Sequence, residues 1–204
     1  MGKVAELIPL GEGNILSASE MFARAFQNDP MLTYLIPDSA KRRSLSPRMY
    51  RCVLRYGIYY GDVAATSANV EGVAIWLSPE AAYASLVKML RAGLFALPFT
   101  IGPKFVVRVL AYFHHLDRLR HDHTPFRHWY LQLLAVDPQH QRRGHAAALL
   151  APMLARLDNE RLPCCLDTMN GDNVAFYERF GFRVAAKSVV PKTDVGLWLM
   201  ARAG

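Results

Sequence analysis

His128-Trp-Tyr-Leu-Gln-Leu-Leu-Ala-Val-Asp-Pro-Gln-His-Gln-Arg-Arg-Gly-His-Ala-Ala147 is the stretch that decides how this 204-residue chain folds. Its first nine residues are rich in aromatic and apolar side chains and too short for a typical helix, so they predict a central strand. Asp137-Pro138 stops that strand. From Gly144 to Leu157 the pattern turns helical, with Leu149, Leu150, Met153, Leu154 and Leu157 on one face. Pro152 lies inside this helix, where loss of a hydrogen bond predicts a kink. A buried strand, a short basic loop and a helix that starts at a glycine make a candidate phosphate site. Free N–H groups and a positive dipole end gather at such a start. Gly144 lets a ligand approach without a Cβ, Ala146 and Ala147 keep the first turn open, and Arg142 and Arg143 add fixed charge. By spacing alone, an ordinary exposed loop before a core helix fits these residues as well.

Outward from this centre, Pro163 to Thr168 predicts a second strand, Asn170-Gly171 a turn, and Asn173 to Phe180 a short helix ended by Gly181. Val184 to Val190 and Val195 to Met200 predict strands around Pro191-Lys192-Thr193. Toward the N-terminus, Ser17 or Ser19 suits the cap of a first helix carrying Met21, Phe22, Ala25 and Phe26, which Asn28-Asp29-Pro30 ends. Ser46 and Pro47 suit the start of a second helix reaching about Tyr60. Asp62 to Ser67 and Val73 to Leu77 predict a hairpin. Ser78-Pro79-Glu80 opens an apolar stretch, Ala81 to Phe113, expected to form two helices broken between Pro98 and Pro103. The class is mixed α/β.

Composition narrows the function. Hydrophobic residues are 52% and charged ones 20% of the chain, a globular and not a disordered profile. Three cysteines make no disulfide framework and suit a reducing, cytoplasmic compartment, and the N-terminal MGKVAELIPLGEGN lacks the apolar core of a signal peptide. Lys88, Arg91, Lys104 and Arg108 interrupt the apolar stretch, which therefore predicts packed helices and no membrane span. A net charge of +7 favours anionic partners, yet no aromatic-studded basic stripe points to nucleic acid. Cys164 and Cys165 read as core filling, and Arg42, Arg43, Arg48 and Arg51 as a solvated face. His114, His115, His121 and His123 lack metal-ligand spacing, so no metal is expected.

Gln141-Arg-Arg-Gly-His-Ala146 fits the Q/R-x-x-G-x-G/A signature of the GNAT superfamily of N-acetyltransferases. Asn170-x-x-Asn173-x-x-x-Tyr177-Glu-Arg-Phe-Gly-Phe182 is similar to a second element of that family. The resemblance is clearest from His128 to Phe182. Phe26-Gln-Asn-Asp-Pro30 and Gly72-Val-Ala-Ile-Trp-Leu77 also look like segments of small-molecule, puromycin-type acetyltransferases. Between Pro79 and Pro125 little is recognisable.

The resemblance implies one GNAT domain over residues 1–204: a twisted mixed sheet flanked by helices, with a helical insertion before the central strand. It implies that acetyl-CoA is the cosubstrate. Backbone groups of Leu134, Ala135 and Val136 would pair with its pantetheine arm, and Gln141, Arg142, Arg143, Gly144, His145, Ala146 and Ala147 would form the pyrophosphate loop. Asn170 would bond the pantetheine or order the following turn, with Asn173 beside it. Tyr177 would protonate the departing thiolate. The expected reaction is direct attack by the amine of a small molecule, an antibiotic or other xenobiotic among the candidates. Acylation of a protein or peptide, and a non-catalytic acyl-CoA sensor, are the alternatives. Acetyl-CoA and a small amine are the expected partners, with a homodimer as candidate assembly; nucleic acid and membrane are not expected. The base is open. Tyr130 stands where some relatives carry Glu or His, Gln132 cannot serve, and His121, His123, His128 and Asp167 are the neighbouring candidates.

Overall fold

The computed structural model describes residues 7–83, 85–93 and 97–204. The signal-peptide expectation therefore falls partly on residues outside this set. Seven strands form one sheet in the order β1-β2-β3-β4-β5-β7-β6. They are β1 (Ile8–Pro9), β2 (Gly61–Ala65), β3 (Gly72–Leu77), β4 (Trp129–Val136), β5 (Cys164–Thr168), β6 (Arg183–Val189) and β7 (Gly196–Arg202). Every neighbouring pair is antiparallel except β4 and β5. The helices are α1 (Ile15–Ala25), α2 (Pro30–Leu35), α3 (Ser39–Tyr60), α4 (Leu86–Arg91), α5 (Leu97–Ile101), α6 (Pro103–His123), α7 (His145–Glu160) and α8 (Asp172–Glu178).

The two-residue period of a strand divides the core between the sheet's faces. Along β3, Val73, Ile75 and Leu77 join the cluster that contains Met21 and Phe22 of α1 and Tyr50 and Leu54 of α3. Ala74 and Trp76 join the opposite cluster, with Leu149, Leu150, Met153, Leu154 and Leu157 of α7. Buried on both faces, β3 reads as an unbroken apolar run. On β4 the alternation slips. Ile75 pairs with Leu133 but Trp76 pairs with Leu131, so Gln132 is an extra residue, a bulge. Tyr130 before it and Leu133 and Ala135 after it then face the same side.

The predicted strands and the hairpin are present, and several helix ends differ. α1 starts at Ile15; Ser17 and Ser19 lie inside it, where their hydroxyls donate to the carbonyls of Asn14 and Leu16. Pro30 does not merely end a helix. It opens α2, and Asp29 caps that helix by accepting from the N–H groups of Met31 and Leu32. α3 begins at Ser39 behind the cap Asp38, a full two turns before the expected start, and runs through Pro47. Arg42 is accordingly no solvated residue. It is 6% exposed and donates to the carbonyls of Gln27, Ile36 and Pro37, tying α3 to the chain on both sides of α2.

The apolar stretch forms three helices instead of two, the last beginning at Pro103 behind Gly102, whose φ is +110°. Ser78-Pro79-Glu80 precedes them as non-helical chain. α7 stays one helix across Pro152. Among the described residues no helix is long and apolar enough to cross a membrane.

Packing of α7 against β3 and β4 holds the basic loop in place, and Leu150 at its centre is fully buried. Leu150→Ala should cost about 2–5 kcal/mol, the range for a leucine truncated in a closed core. Urea denaturation checks this as a lowered midpoint with an unchanged slope.

Candidate active site

The parallel pair β4–β5 holds only at Trp129–Cys164, Tyr130–Cys165 and Leu131–Leu166. Beyond the bulge at Gln132, β4 continues to Val136 and β5 to Thr168 without pairing to each other. The strands diverge, and the β5-facing edge of β4 carries backbone N–H and C=O groups with no strand opposite them. Such groups call for partners. Leu134, Ala135 and Val136 lie on this free stretch, still paired on their other edge with Ala74, Val73 and Gly72 of β3.

Directly after β4, Asp137 accepts two hydrogen bonds from the Arg24 guanidinium of α1, at 2.9 and 2.6 Å, and one from the N–H of Gln139. Burial would raise its pKa; the hydrogen bond from Arg24, then that from Gln139, outweighs it and holds the carboxyl below the usual range. The side chain of Gln141 turns back to the carbonyl of Val136. Arg142 and Gly144 both have positive φ, +62° and +86°. Consecutive turns of this kind direct backbone N–H groups into one concavity. The first helical bond of α7 runs from Ala148 N–H to the Gly144 carbonyl. The N–H groups of His145, Ala146 and Ala147 are thus the orphan donors of this helix start, and the first turn carries no acid. A Cβ at Gly144 would meet nothing within 4 Å. The open, basic, donor-rich loop fits a pyrophosphate, and the free strand edge fits the amide-bearing arm of acetyl-CoA.

Asn170 and Asn173 meet at the start of α8. Asn170 Oδ1 accepts from the N–H of Asp172 and its carbonyl from that of Asn173, while Asn173 Nδ2 donates to Thr168 Oγ1. Of the two roles implied for Asn170, ordering the turn is the one these contacts perform. Tyr177 on α8 is buried against Phe176 and Phe182, and among the described residues its hydroxyl makes no hydrogen bond.

Tyr177, Asn173, Leu134 and Thr168 line the end of a cavity of about 230 Å³ that extends from the strand divergence under α4, α5 and α6. Its walls are apolar and aromatic: Phe26 and Tyr50, stacked at 5.8 Å, with Met89, Leu97 and Phe105 above. Four polar residues also line it: Asp29, Arg120, Gln132 and Asp167. Asp167 follows Cys165 by two along β5 and so faces the α6 side, where its two oxygens accept the hydroxyls of Tyr112 and Tyr130. Burial, and then the Asp167 carboxylate, push both phenols well above their ordinary pKa. Tyr177 is raised by burial first and then by Asp167 and Asp29.

Of the four base candidates only Asp167 lines the cavity. His121 and His123 are exposed on the last turn of α6. His128 is buried elsewhere, its Nδ1 against the Phe126 carbonyl, and burial keeps its pKa low. Sequence reasoning missed Tyr112, Arg120 and Asp29. The signal for the first two was a stripe, Phe105, Val109, Tyr112, Leu116, Arg120, with helical spacing on one face of α6. Among the described residues no group of His, Cys, Asp and Glu could hold a metal ion. Cys164 and Cys165 are fully buried, and burial raises the Cys164 thiol to about 12.

A mixed sheet with one divergent parallel pair, a glycine-led helix start and a cavity at their junction make up the candidate site. Residues 105–184 match the family model described as Acetyltransferase (GNAT) domain. The chain is similar to an uncharacterized N-acetyltransferase of Schizosaccharomyces pombe, 26% identical over 175 residues, 81% of this chain and 69% of that one. Its fold is like that of the histone acetyltransferase HPA2 and related acetyltransferase of Corynebacterium glutamicum, with TM-score 0.60, 21% identity, and coverage of 96% of this chain and 94% of that one. It is also like that of arylalkylamine N-acetyltransferase 2 of Aedes aegypti, with TM-score 0.62, 13% identity, and coverage of 97% and 98%.

The buried phenols set an alkaline limit. The unfolded chain ionises tyrosine near pH 10, whereas Tyr112, Tyr130 and Tyr177 in the folded protein ionise later. Folding stability should therefore fall as pH rises past about 10. Ultraviolet titration should show fewer than the chain's nine phenols ionising before unfolding, and all nine in urea.

Proposed function

We propose that the protein acetylates the amine of a small molecule, using acetyl-CoA and direct attack without an acyl-enzyme. The observation that carries this reading is the cavity that begins at the unpaired edge of β4 and contains Tyr177. Acetyl-CoA supplies an activated acyl thioester. In this proposal the free edge at Leu134, Ala135 and Val136 binds its pantetheine arm, and the backbone from Arg142 through Ala147 cradles the pyrophosphate. Arg142 and Arg143 lend charge. Gln141, Asn170 and Asn173 act by fixing the loop and turn that border the arm. N–H donors on the β4 edge stabilise charge that develops on the thioester oxygen. Tyr177 holds a proton for the sulfur, and its raised pKa keeps it protonated at neutral pH. The roof of α4, α5 and α6 over the cavity favours a compact acceptor over a peptide, and positioning within it supplies much of the acceleration.

Calorimetric titration with acetyl-CoA tests the cofactor half. Micromolar binding is expected, with loss of at least tenfold in Gly144→Asp. The open space at that Cβ leaves only the positive φ to accommodate, so the variant should fold, with a carboxylate where phosphate belongs. Absence of binding to the folded wild type would overturn the assignment. Tyr177→Phe should slow acetyl transfer by about 10²–10⁴-fold with acetyl-CoA affinity unchanged; unchanged single-turnover rates would remove Tyr177 from the mechanism.

A further inference from the structure

The cavity's charge opposes that of the chain. A protein of net charge +7 lines this pocket with two carboxylates, Asp29 and Asp167, and one cation, Arg120. Each of these groups has a different degree of satisfaction. Asp29 is occupied as the cap of α2. Arg120 is 1% exposed, donates to the Ala82 carbonyl and pairs with Asp117 at 3.1 Å; its guanidinium lies over the Tyr130 ring at 4.3 Å. Asp117 is its ion-pair partner, and Asp167 also acts on its charge. Asp167 takes part in no ion pair among the described residues. It has one phenol on each oxygen, Tyr130 on Oδ1 and Tyr112 on Oδ2. A carboxylate offers about four acceptor positions, so two phenols orient it and leave capacity on both oxygens. Beside it on the divergent strand, the Gln132 Oε1 is buried with no partner among the described residues. Buried acceptors left short of donors are costly, and a half-buried carboxylate with no ion pair keeps charge to engage.

An ammonium group brings three N–H donors and a positive charge, which answers both deficits at the place where the strands part. Around them the surfaces are Phe26, Tyr50, Phe105 and Phe113, with methionines 31, 49 and 89. Such walls suit an aromatic or bulky apolar body.

We propose that Asp167, oriented by Tyr112 and Tyr130, is the specificity-determining residue that draws an amine carried on an aromatic body into this cavity. The proposal rests on reading the cavity as the acceptor site. Asp167 acts here as an anchor for the cationic form, and Tyr177 keeps its separate role toward sulfur.

The test is equilibrium binding near pH 7, read by calorimetry without turnover. The probes are 2-phenylethylamine, its uncharged isostere 2-phenylethanol, and spermidine. The wild type should bind 2-phenylethylamine at least about tenfold more tightly than the alcohol, and more tightly than spermidine. Asp167→Asn should abolish the preference for amine over alcohol while leaving affinity for the alcohol unchanged. Tyr112→Phe, which keeps the carboxylate and frees one oxygen, should retain a preference for the cation. Equal affinity of the wild type for amine and alcohol overturns the proposal, with no variant required. So does a preference that survives Asp167→Asn, or spermidine as the tightest ligand. Acetyl-CoA titrated into the same protein separates the two readings. Cofactor binding without amine preference defeats the anchor alone, and amine preference without cofactor binding defeats the acetyltransferase reading alone.

Discussion

Everything functional in this molecule depends on the end of one strand pairing. β4 and β5 are hydrogen-bonded only as far as Leu131 and Leu166, and the bulge at Gln132 falls at that point. A bulge adds a residue to one strand and increases its local twist, so β4 follows β3 and leaves β5. The cost is a strand edge with no strand opposite it, whose backbone groups need other partners. The gain is a slot with polar edges, closed on one side by β3 and reached from the other by α8. The loop after β4 and the cavity behind it both owe their position to this divergence.

The same bulge decides which side chains meet. It shifts the alternation of β4 by one, so that Tyr130 faces α6 together with Leu133 and Ala135. On β5 the ordinary alternation puts Asp167 on that same face, two residues after Cys165. Tyr112 comes from the inner stripe of α6, one turn before Leu116 and two before Arg120. Three elements of different periodicity thus deliver two phenols and a guanidinium to one carboxylate's surroundings. Arg42 performs a comparable task at the far side of the cavity. Its donors fix the chain around α2, the helix that carries Asp29 at its head.

What the sequence discloses is what is local. The strand–loop–helix unit from Trp129 to Glu160 is legible because its periodicity changes at a proline and a glycine that each enforce the change. The hairpin of β2 and β3 and the closing strands are legible for similar reasons. Helix starts failed where two caps competed. Ser46-Pro47 carries a plausible start signal, yet Asp38 caps earlier and burial of Arg42 continues the helix through Pro47; tertiary contacts override a local preference there. Asp29 was misread because its partner proline both ends α1 and begins α2. The cavity was least legible. Tyr112 and Tyr130 lie 55 and 37 residues from Asp167, and no spacing rule links residues so far apart. Asp167 entered the reading only as a neighbouring-strand acid among four candidates, and its geometry then separated it from the three histidines.

Charge explains how such a site could be asymmetric. At one end of the slot, the basic loop and the start of α7 favour anions. At the other, Asp167 and Asp29 line an apolar space that disfavours anions and, in the proposed reading, attracts a cation. Tyr177 stands between them. Asp167, which would draw the amine inward, raises the Tyr177 phenol above its ordinary pKa together with Asp29, after burial itself. A phenol in that setting stays protonated and so carries a proton to the place where the thiolate departs. The Asp167 charge thus acts on both the acceptor site and the Tyr177 phenol. A substitution that removes the Asp167 charge alters both, whereas one in the basic loop alters neither.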